Sequence, residues 1–433
     1  MSLKLAWAGP WNTRSAIAAF GRDVTAALAR RGHSVEILRT EIGPFLETPA
    51  LPCDFPVHSM AGMDPHAIVR TYDVVIANLG DHFGYHGALA SHLPLLGALA
   101  ILHDAFMANF CFGWAHHYPD IEAALRAMVS ATYGAGAMPP GETYWLELEA
   151  MMRRRPMVEL FAGDAVGAIV HAGHYRERVT RACPGPVWQL PLSYYDLDVR
   201  PPRPHGDSLE IVSIGNVNTN RQIGEVIKAI GGSPLLRARC RYRIIGAIDP
   251  AVQQTIHAQM AQSGVTAVEF TGWVSDDTLR ALMADVDVIC CLRHPVLEGG
   301  SGSMIAALLS GRPVLVSDQG VYGELPLGVA LKCQPGAEAA DVGRHLEALL
   351  ADRAELLAQG LRGQAYARLV HTPEHYAELL DVALHAVHVE APARRTARRF
   401  GALLGSFGLA EDDPAMASVL STMTGMLGTP RRS

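Results

Sequence analysis

The chain has 433 residues, 36 of them basic and 43 acidic, which gives a formal net charge of −7. This length predicts two or three domains, and an apolar share of 49% is enough to bury a core in each. The acidic balance argues against nucleic acid as a partner. Seven scattered cysteines without CxxC spacing argue against a disulfide framework and a zinc site, and they favour a reducing compartment.

The first half of the chain alternates short apolar strands with helical patterns. The first strand ends at Gly9, and the helix after it closes on Gly32, where glycine is common. This order predicts a doubly wound parallel sheet, in which ligands bind beyond the carboxyl ends of the strands. Further strands are predicted at 73–80, 96–104 and 165–173, with a mostly helical region at 105–160.

A proline-rich linker at 193–207 separates this region from a second α/β series. Strands alternate with helical patterns there too, so a second parallel sheet is predicted. The predicted strands lie at 209–218, 241–247, 268–272, 285–295 and 313–318. We therefore expect an N-terminal Rossmann-like domain at 1–195, a second such domain at 208–375, and a helical segment with a less regular extension at 376–433.

The segment from Glu298 to Glu324 carries the strongest functional signal. Glu298 precedes a Gly/Ser loop, and an apolar helix follows that stops at Gly311. Free backbone N–H groups at such a helix start bind phosphate, and an acid ahead of them can hold sugar hydroxyls. The segment therefore predicts a sugar-nucleotide site. The residues of this segment that are expected to bind the sugar donor are Gly299, Ser301, Gly302 and Ser303.

Two finer expectations concern this loop. Gly299 and Gly302 are expected to allow positive φ and close approach of a ligand. Ser303 is a candidate N-cap of the helix, besides presenting its N–H group to a diphosphate.

Five segments, in order, resemble retaining glycosyltransferases of the GT-B fold, family four. They are the Gly9 loop with DVTAALARRGHSVEIL, then LGDHFGYHGALASHLPLLGALAILHDAF, AIVHAGHYRERV, IGNVNTNRQIGEVIKAI and EGGSGSMIAALLSGRPVLVSD. The resemblance covers nearly the whole chain up to about residue 390. It implies two Rossmann-like domains facing a cleft, with 1–195 on the acceptor side and 208–375 binding the nucleotide sugar. It also implies metal-independent transfer of a hexosyl-type sugar from a nucleotide donor, with retention of configuration and no cofactor.

The resemblance implies roles for four further residues. Arg221 stands where the family usually has lysine and would contact the diphosphate, and Asn220 beside it would orient the loop. His103 ends a strand and would point into the cleft, where it could hydrogen-bond the donor sugar. Gly9 would help form the opposing wall. With these roles, the predicted catalytic residues are His103, Arg221 and Glu298, and no metal ligand is expected.

One departure from the family pattern keeps other functions open. The second acid of the signature, which normally holds the ribose, is Ala306 here. The alternative is a catalytically degenerate GT-B subunit that binds a partner glycosyltransferase. A sugar-nucleotide epimerase ranks last, because such chemistry needs more cleft acids than Glu298. The acceptor, whether a glycan, a lipid-linked sugar or a small molecule, cannot be read from the residues.

Location and surface contacts complete the sequence predictions. The start of the chain lacks the pattern of a signal peptide, and no stretch of eighteen uncharged apolar residues occurs, so a cytoplasmic protein is expected. A basic cluster at 394–399 beside Phe400 could be a weak membrane-surface element or a packed, solvated helix. Trp11 could stack on a sugar or cover the core.

Overall fold

The computed structural model describes residues 1–137, 148–194 and 206–406. Within these ranges the chain forms two parallel sheets, of seven and six strands, with helices between the strands. This confirms the predicted class of two doubly wound α/β domains. The boundaries at 195, 208 and 375 stay a prediction, and the linker residues 195–205 lie outside the described ranges.

The N-terminal sheet has the strand order β3-β2-β1-β4-β5-β6-β7. Its strands are β1 Lys4–Gly9, β2 Ser34–Arg39, β3 Val57–Ser59, β4 Val74–Leu79, β5 Leu99–Leu102, β6 Gly167–Val170 and β7 Val187–Gln189. Its helices are α1 Ala16–Arg30, α2 Pro44–Glu47, α3 Pro65–Thr71, α4 Phe83–Leu96, α5 Ala108–His117, α6 Pro119–Tyr133, α7 Leu148–Arg154, α8 Val158–Gly163 and α9 Arg176–Ala182.

The C-terminal sheet has the order β10-β9-β8-β11-β12-β13. Its strands are β8 Leu209–Ile214, β9 Cys240–Ile245, β10 Val268–Gly272, β11 Val288–Cys291, β12 Val314–Ser317 and β13 Leu331–Cys333. The helices are α10 Ile223–Gly232, α11 Pro234–Arg239, α12 Pro250–Ser263, α13 Asp276–Met283, α14 Gly302–Leu309, α15 Gly320–Gly323, α16 Glu338–Ala351, α17 Arg353–Val370 and α18 Pro373–Ser406.

The first β-α-β unit shows how local sequence fixes these elements. Ser15 caps α1 by accepting a hydrogen bond from the N–H of Ala18, and Gly32 follows the helix with a φ of 96°. Phe20, Val24 and Leu28 lie four residues apart and bury one face of the helix. Strands β4, β5, β11 and β12 are buried along their whole length, as expected for parallel strands covered on both faces.

Three short strands and the length of the last helix differ from the sequence predictions. The strands β3, β7 and β13 have three residues each, too few to show a periodic pattern. The chain after Ala391 was expected to be less regular, but α18 continues to Ser406 despite Pro392 inside it. That expectation was wrong for 391–406, and residues beyond 406 lie outside the described ranges.

Helix α18 carries the chain back onto the N-terminal domain. The rings of Tyr376 and Phe20 lie 5.1 Å apart, and Asp381 forms an ion pair with Arg31 at 2.8 Å. Further along, Arg394 donates a hydrogen bond to the carbonyl of Pro184. These contacts support a packed terminal helix, whereas weak membrane association stays a prediction. None of the described helices combines the length and apolar character that a membrane span requires.

Candidate active site

The carboxyl ends of both sheets face a cavity of about 550 Å³ between the two domains. The N-terminal domain contributes the start of α1 and the residues that follow β4 and β5. The C-terminal domain contributes the loop after β8, the residues after β11 and the start of α14. This is where ligands bind in open α/β sheets, so the strand-end rule correctly indicates the position.

Arg221 lines the cavity from a 3-10 turn at Thr219–Arg221. Its guanidinium donates to the carbonyl of Ile214 and packs on Gly215, which has a φ of 107°. A Cβ on Gly215 would lie 2.5 Å from Nη2 of Arg221, so this contact requires glycine. Burial, together with the nearby Arg293, lowers the pKa of Arg221 to about 10. Among the described residues Arg221 has no ion-pair partner, so this cation has the capacity to bind an anion.

Arg293 is a second cation that the sequence analysis missed. It follows β11, is 4% exposed and lines the same cavity. Its Nε lies 3.4 Å from Oε1 of Glu298, and its Nη2 donates to Oγ of Ser303 at 3.5 Å. His103 was singled out because it directly follows a strand, whereas Arg293 lies two residues after the end of β11, inside the strand predicted at 285–295.

The start of α14 differs from the prediction by two residues. Ser301 is the N-cap, because its hydroxyl accepts a hydrogen bond from the N–H of Met304 at 3.3 Å. The assignment of Ser303 as N-cap was therefore wrong. Gly302 and Ser303 occupy the first turn and line the cavity, and N–H groups at these positions have no acceptor within the helix. The positive end of the helix dipole lies at the same place.

The loop glycines are required by packing rather than by positive φ. Neither Gly299 nor Gly302 has a positive φ, so that expectation was wrong. A Cβ on Gly299 would collide with the hydroxyl of Tyr175, and one on Gly302 would collide with the ring of Tyr194. Both rings come from the N-terminal half of the chain. The loop is thus also a close contact between the two halves, which sequence spacing could not show.

Glu298 lies where it was expected, at the edge of the cavity. Its carboxylate contacts Arg293 and accepts a hydrogen bond from the hydroxyl of Tyr322. The backbone around it joins the N-terminal domain: the N–H of Gly299 donates to the carbonyl of His103 at 2.9 Å. The N–H of Ala105 likewise donates to the carbonyl of Leu297 at 3.0 Å. The loop that carries Glu298 is therefore bonded to both domains.

The prediction that His103 points into the cavity is not met, since its side chain does not line the cavity. Its Nε2 lies 2.6 Å from Oδ1 of Asn78, and its Nδ1 lies 3.2 Å from Nε2 of His171. The ring is 6% exposed and packs edge-on against Phe20, because it inserts between the ends of neighbouring strands. Burial lowers the pKa of His103 well below its ordinary value and that of His171 to about 4, so both rings are neutral at pH 7. Its catalytic role stays a prediction.

Two half-buried carboxyl groups, Asp104 and Asp81, occupy the N-terminal side of the cavity instead. The N–H of Asp81 donates to Oδ2 of Asp104 at 2.8 Å. Burial raises the pKa of Asp104 to about 7, and Glu298 opposite adds to the effect. Burial, together with Asp104, raises the pKa of Asp81 well above its ordinary value. Sequence analysis did not place either acid in the site.

The remaining predicted residues divide between the cavity and the layer behind it. Asn220 lines the cavity, and its carbonyl accepts the N–H of His294 at 2.8 Å, which ties the Arg221 loop to the Arg293 loop. Gly9 lies behind the wall, against Asn78. Residues 14–17 form the wall that was assigned to the Gly9 loop. Trp11 is fully buried and belongs to the core.

Comparison with known proteins identifies the class. Residues 208–352 match the family model described as "Glycosyl transferases group 1". No curated protein matches the chain in sequence. The match covers the domain of the second sheet and agrees there with the resemblance to this family.

Solved structures show the same fold at low sequence identity. Anabaena HepE in complex with UDP has a TM-score of 0.60 at 14% identity, covering 88% of this chain and 100% of HepE. Sucrose-phosphate synthase from Thermosynechococcus elongatus has a TM-score of 0.58 at 14% identity, covering 89% of this chain and 99% of that one. WaaG, involved in lipopolysaccharide biosynthesis, has a TM-score of 0.55 at 13% identity, with 87% and 99% covered. The chain therefore has the GT-B fold.

Proposed function

We propose that the protein transfers a hexosyl group from a nucleotide sugar to an acceptor hydroxyl with retention of configuration. The observation that carries this proposal is the meeting of Arg221, Arg293 and the start of α14 in one cavity. Two guanidinium groups and a helix N-terminus together suit a diphosphate, which carries negative charge on several oxygens.

The chemical step follows from this arrangement. The acceptor oxygen forms a bond to the anomeric carbon on the face from which the diphosphate departs. The bond from that carbon to the phosphate oxygen breaks, and its electron pair stays on the diphosphate, which takes the proton of the acceptor hydroxyl. Arg221, Arg293 and the helix dipole stabilise the charge that develops on the departing oxygen, so no metal ion is required.

We propose that Glu298 accepts hydrogen bonds from hydroxyl groups of the donor sugar. Arg293 contacts both the Glu298 carboxylate and the Ser303 hydroxyl at the helix start. Arg293 would therefore take part in binding both the sugar and the diphosphate. Tyr322 fixes the carboxylate from the other side. His103, whose carbonyl accepts the N–H of Gly299, would act by positioning this loop.

The nucleoside would extend along the neighbouring strand ends. Asn216 and Asn218 line the cavity, and a backbone bridge at Val217 links their loop to the loop after β9. A second bridge links that loop to Gly272 at the end of β10. The next residue, Trp273, is 77% exposed and offers a surface on which a base could stack. With Ala306 in place of the ribose-binding acid, these loops would carry much of the nucleoside recognition.

The test is a screen of the purified protein against UDP-, GDP- and ADP-linked hexoses, with released nucleotide and thermal shift as readouts. UDP-glucose is tested first, since HepE is known in complex with UDP-glucose. We expect one donor to raise the melting temperature and to release its nucleotide. If neither change occurs with any donor, the proposal fails.

If no donor raises the melting temperature or releases its nucleotide, the alternative of a catalytically degenerate subunit is favoured. The observation behind this alternative is Ala306, which leaves the start of α14 without the second acid of the family signature. A subunit of this kind would bind a partner glycosyltransferase and stimulate its turnover without hydrolysing a donor itself.

A further inference from the structure

We propose that the acceptor is an uncharged hydroxyl compound whose ring has an apolar face, and that it binds in a second cavity beside the sugar-donor cavity. This inference rests on the proposed function. The second cavity, called the acceptor pocket below, has a volume of about 500 Å³ in the N-terminal domain. Its walls include Ile42, Pro44, Phe45, His82, Phe83 and His117.

The acceptor pocket adjoins the place where the anomeric carbon would lie. Asp81 and His82 line both cavities, and they directly precede the first turn of α4. Asp104, bonded to the N–H of Asp81, and Glu298 opposite it mark the sugar end of the donor cavity. A molecule in the pocket would therefore present a hydroxyl group toward the sugar end of the donor cavity.

The pocket walls are built from rings. The ring centroids of Phe45 and His82 lie 5.1 Å apart, and those of Phe83 and His117 lie 5.7 Å apart. Aromatic faces of this kind bind the apolar face of a sugar ring or another aromatic ring. The half-buried Phe45 is partly open to the cavity, so its ring is available for such a contact.

Two glycines inside helices let these rings lie against helix backbone. A Cβ on Gly84 of α4 would collide with the ring of Phe45, and one on Gly113 of α5 would lie 2.8 Å from Cβ of Phe83. Glycine inside a helix costs about 0.5–1 kcal/mol relative to alanine. The pocket shape is thus maintained at a cost to helix stability, which a chance surface hollow would not require.

The charge of the pocket walls favours uncharged acceptors over anionic ones. No lysine or arginine is found among the described residues that line the pocket. Its single acid, Asp81, uses one carboxylate oxygen to accept the N–H of Phe110 and the other to accept the amide of Asn109. A phosphate in the pocket would lose its hydration without gaining a cation, which is unfavourable. The pocket therefore fits a neutral ring better than a sugar phosphate or a lipid phosphate.

The experiment measures binding by calorimetry in the presence of saturating UDP. The four probes are phenyl glucoside, methyl glucoside, glucose phosphate and farnesyl phosphate. We expect the neutral glucosides to bind, with the phenyl compound tighter if an aromatic ring is preferred, and both phosphates to bind at least about tenfold more weakly. Phe45→Ala should weaken the glucosides about tenfold and leave UDP affinity unchanged.

The control is Phe55→Ala, a half-buried phenylalanine of the same domain outside the pocket, which should leave both affinities unchanged. Tighter binding of either phosphate, an unaffected Phe45→Ala variant, or no glucoside binding in a protein that binds UDP would each overturn the inference. Failure to bind UDP would instead count against the proposed function.

Discussion

The two sides of the interdomain cavity are built from opposite chemistry. The C-terminal side presents two guanidinium groups and the start of α14, with Arg221 free of any ion pair in the described chain. The N-terminal side presents the half-buried carboxyl groups of Asp81 and Asp104, next to the neutral rings of His103 and His171. Both sides lie at the ends of parallel strands, so the fold alone does not explain the difference.

This difference assigns each side a ligand. Positive charge that is partly buried suits the diphosphate, whose own charge compensates for it. A surface of half-buried carboxyl groups that are largely hydrogen-bonded, together with aromatic rings, suits a neutral hydroxyl compound. Transfer then requires the two sides to be held together, and Glu298 lies at their junction.

The largest expected effect tests the N-terminal side. Asp104 has a pKa of about 7 in the folded protein, well above the ordinary value. As pH rises from about 4 to 7, the unfolded chain releases a proton that the folded chain keeps, so the free energy of unfolding falls. One pKa unit corresponds to about 1.4 kcal/mol, so the fall reaches about 3 kcal/mol. Asp104→Asn should remove this pH dependence, because asparagine does not titrate and can still accept the N–H of Asp81.

Urea denaturation at several pH values measures the effect. Asp277→Asn is the control, since that side chain is 93% exposed. Parallel pH profiles for the wild type and Asp104→Asn would show that the pKa of Asp104 does not change on folding, contrary to the account.

The second prediction concerns Glu298, at the junction of the two sides of the cavity. Glu298→Gln removes the charge that Arg293 and Tyr322 hold in place while keeping the size of the side chain. We expect kcat/KM for sugar transfer to fall about a hundredfold, as when one preorganised polar group is lost from an active site. Affinity for UDP, which lacks the hexosyl group of the donor, should change less than about twofold. Loss of UDP affinity equal to the loss of turnover would place Glu298 on the nucleotide instead.

The third prediction separates packing from phosphate binding in the glycine loop. Gly302→Ala brings a Cβ into the ring of Tyr194 and should lower the free energy of unfolding by about 2 kcal/mol. Gly232→Ala, where nothing lies within 4 Å of the added Cβ, should cost no stability. Thermal denaturation of both variants checks this. Equal stability of the two would show that the loop does not pack tightly between the domains.

The smallest effect concerns how the domains are held together. Glu324 of the C-terminal domain accepts the N–H groups of Gly173 and His174 at 2.8 Å each. Glu324→Gln can accept only one of them, so we expect about a tenfold loss of kcat/KM and a larger radius of gyration by X-ray scattering. Glu269→Gln, an exposed carboxylate at the far edge strand, is the control. An unchanged radius and turnover would mean that closure does not depend on this contact.

Sequence reasoning succeeded where a pattern is local. The Gly32 end of α1, the buried strands, and the presence of an apolar helix after Glu298 each follow from residues near one another in the chain. The same is true of Arg221, whose position after β8 identified it as a cavity residue.

It failed where a side chain depends on distant partners. His103 turns away from the cavity because Asn78 and His171, far away in sequence, bond both of its ring nitrogens. The loop at the start of α14 needs glycine because Tyr175 and Tyr194 pack against it, and residue spacing in the sequence does not show these contacts. Asp81 and Asp104 are likewise brought together only because β4 and β5 are neighbours in the sheet.

The central claim is that Arg221 and Arg293 bind the diphosphate. Calorimetric titration of UDP into the Arg221→Ala, Arg293→Ala and double variants tests it, with Arg241→Ala, 76% exposed, as the control. Each single change should weaken UDP binding about tenfold or more, and the double change at least about a hundredfold, while the control stays at the wild-type affinity. Wild-type affinity in the folded double variant would contradict the account.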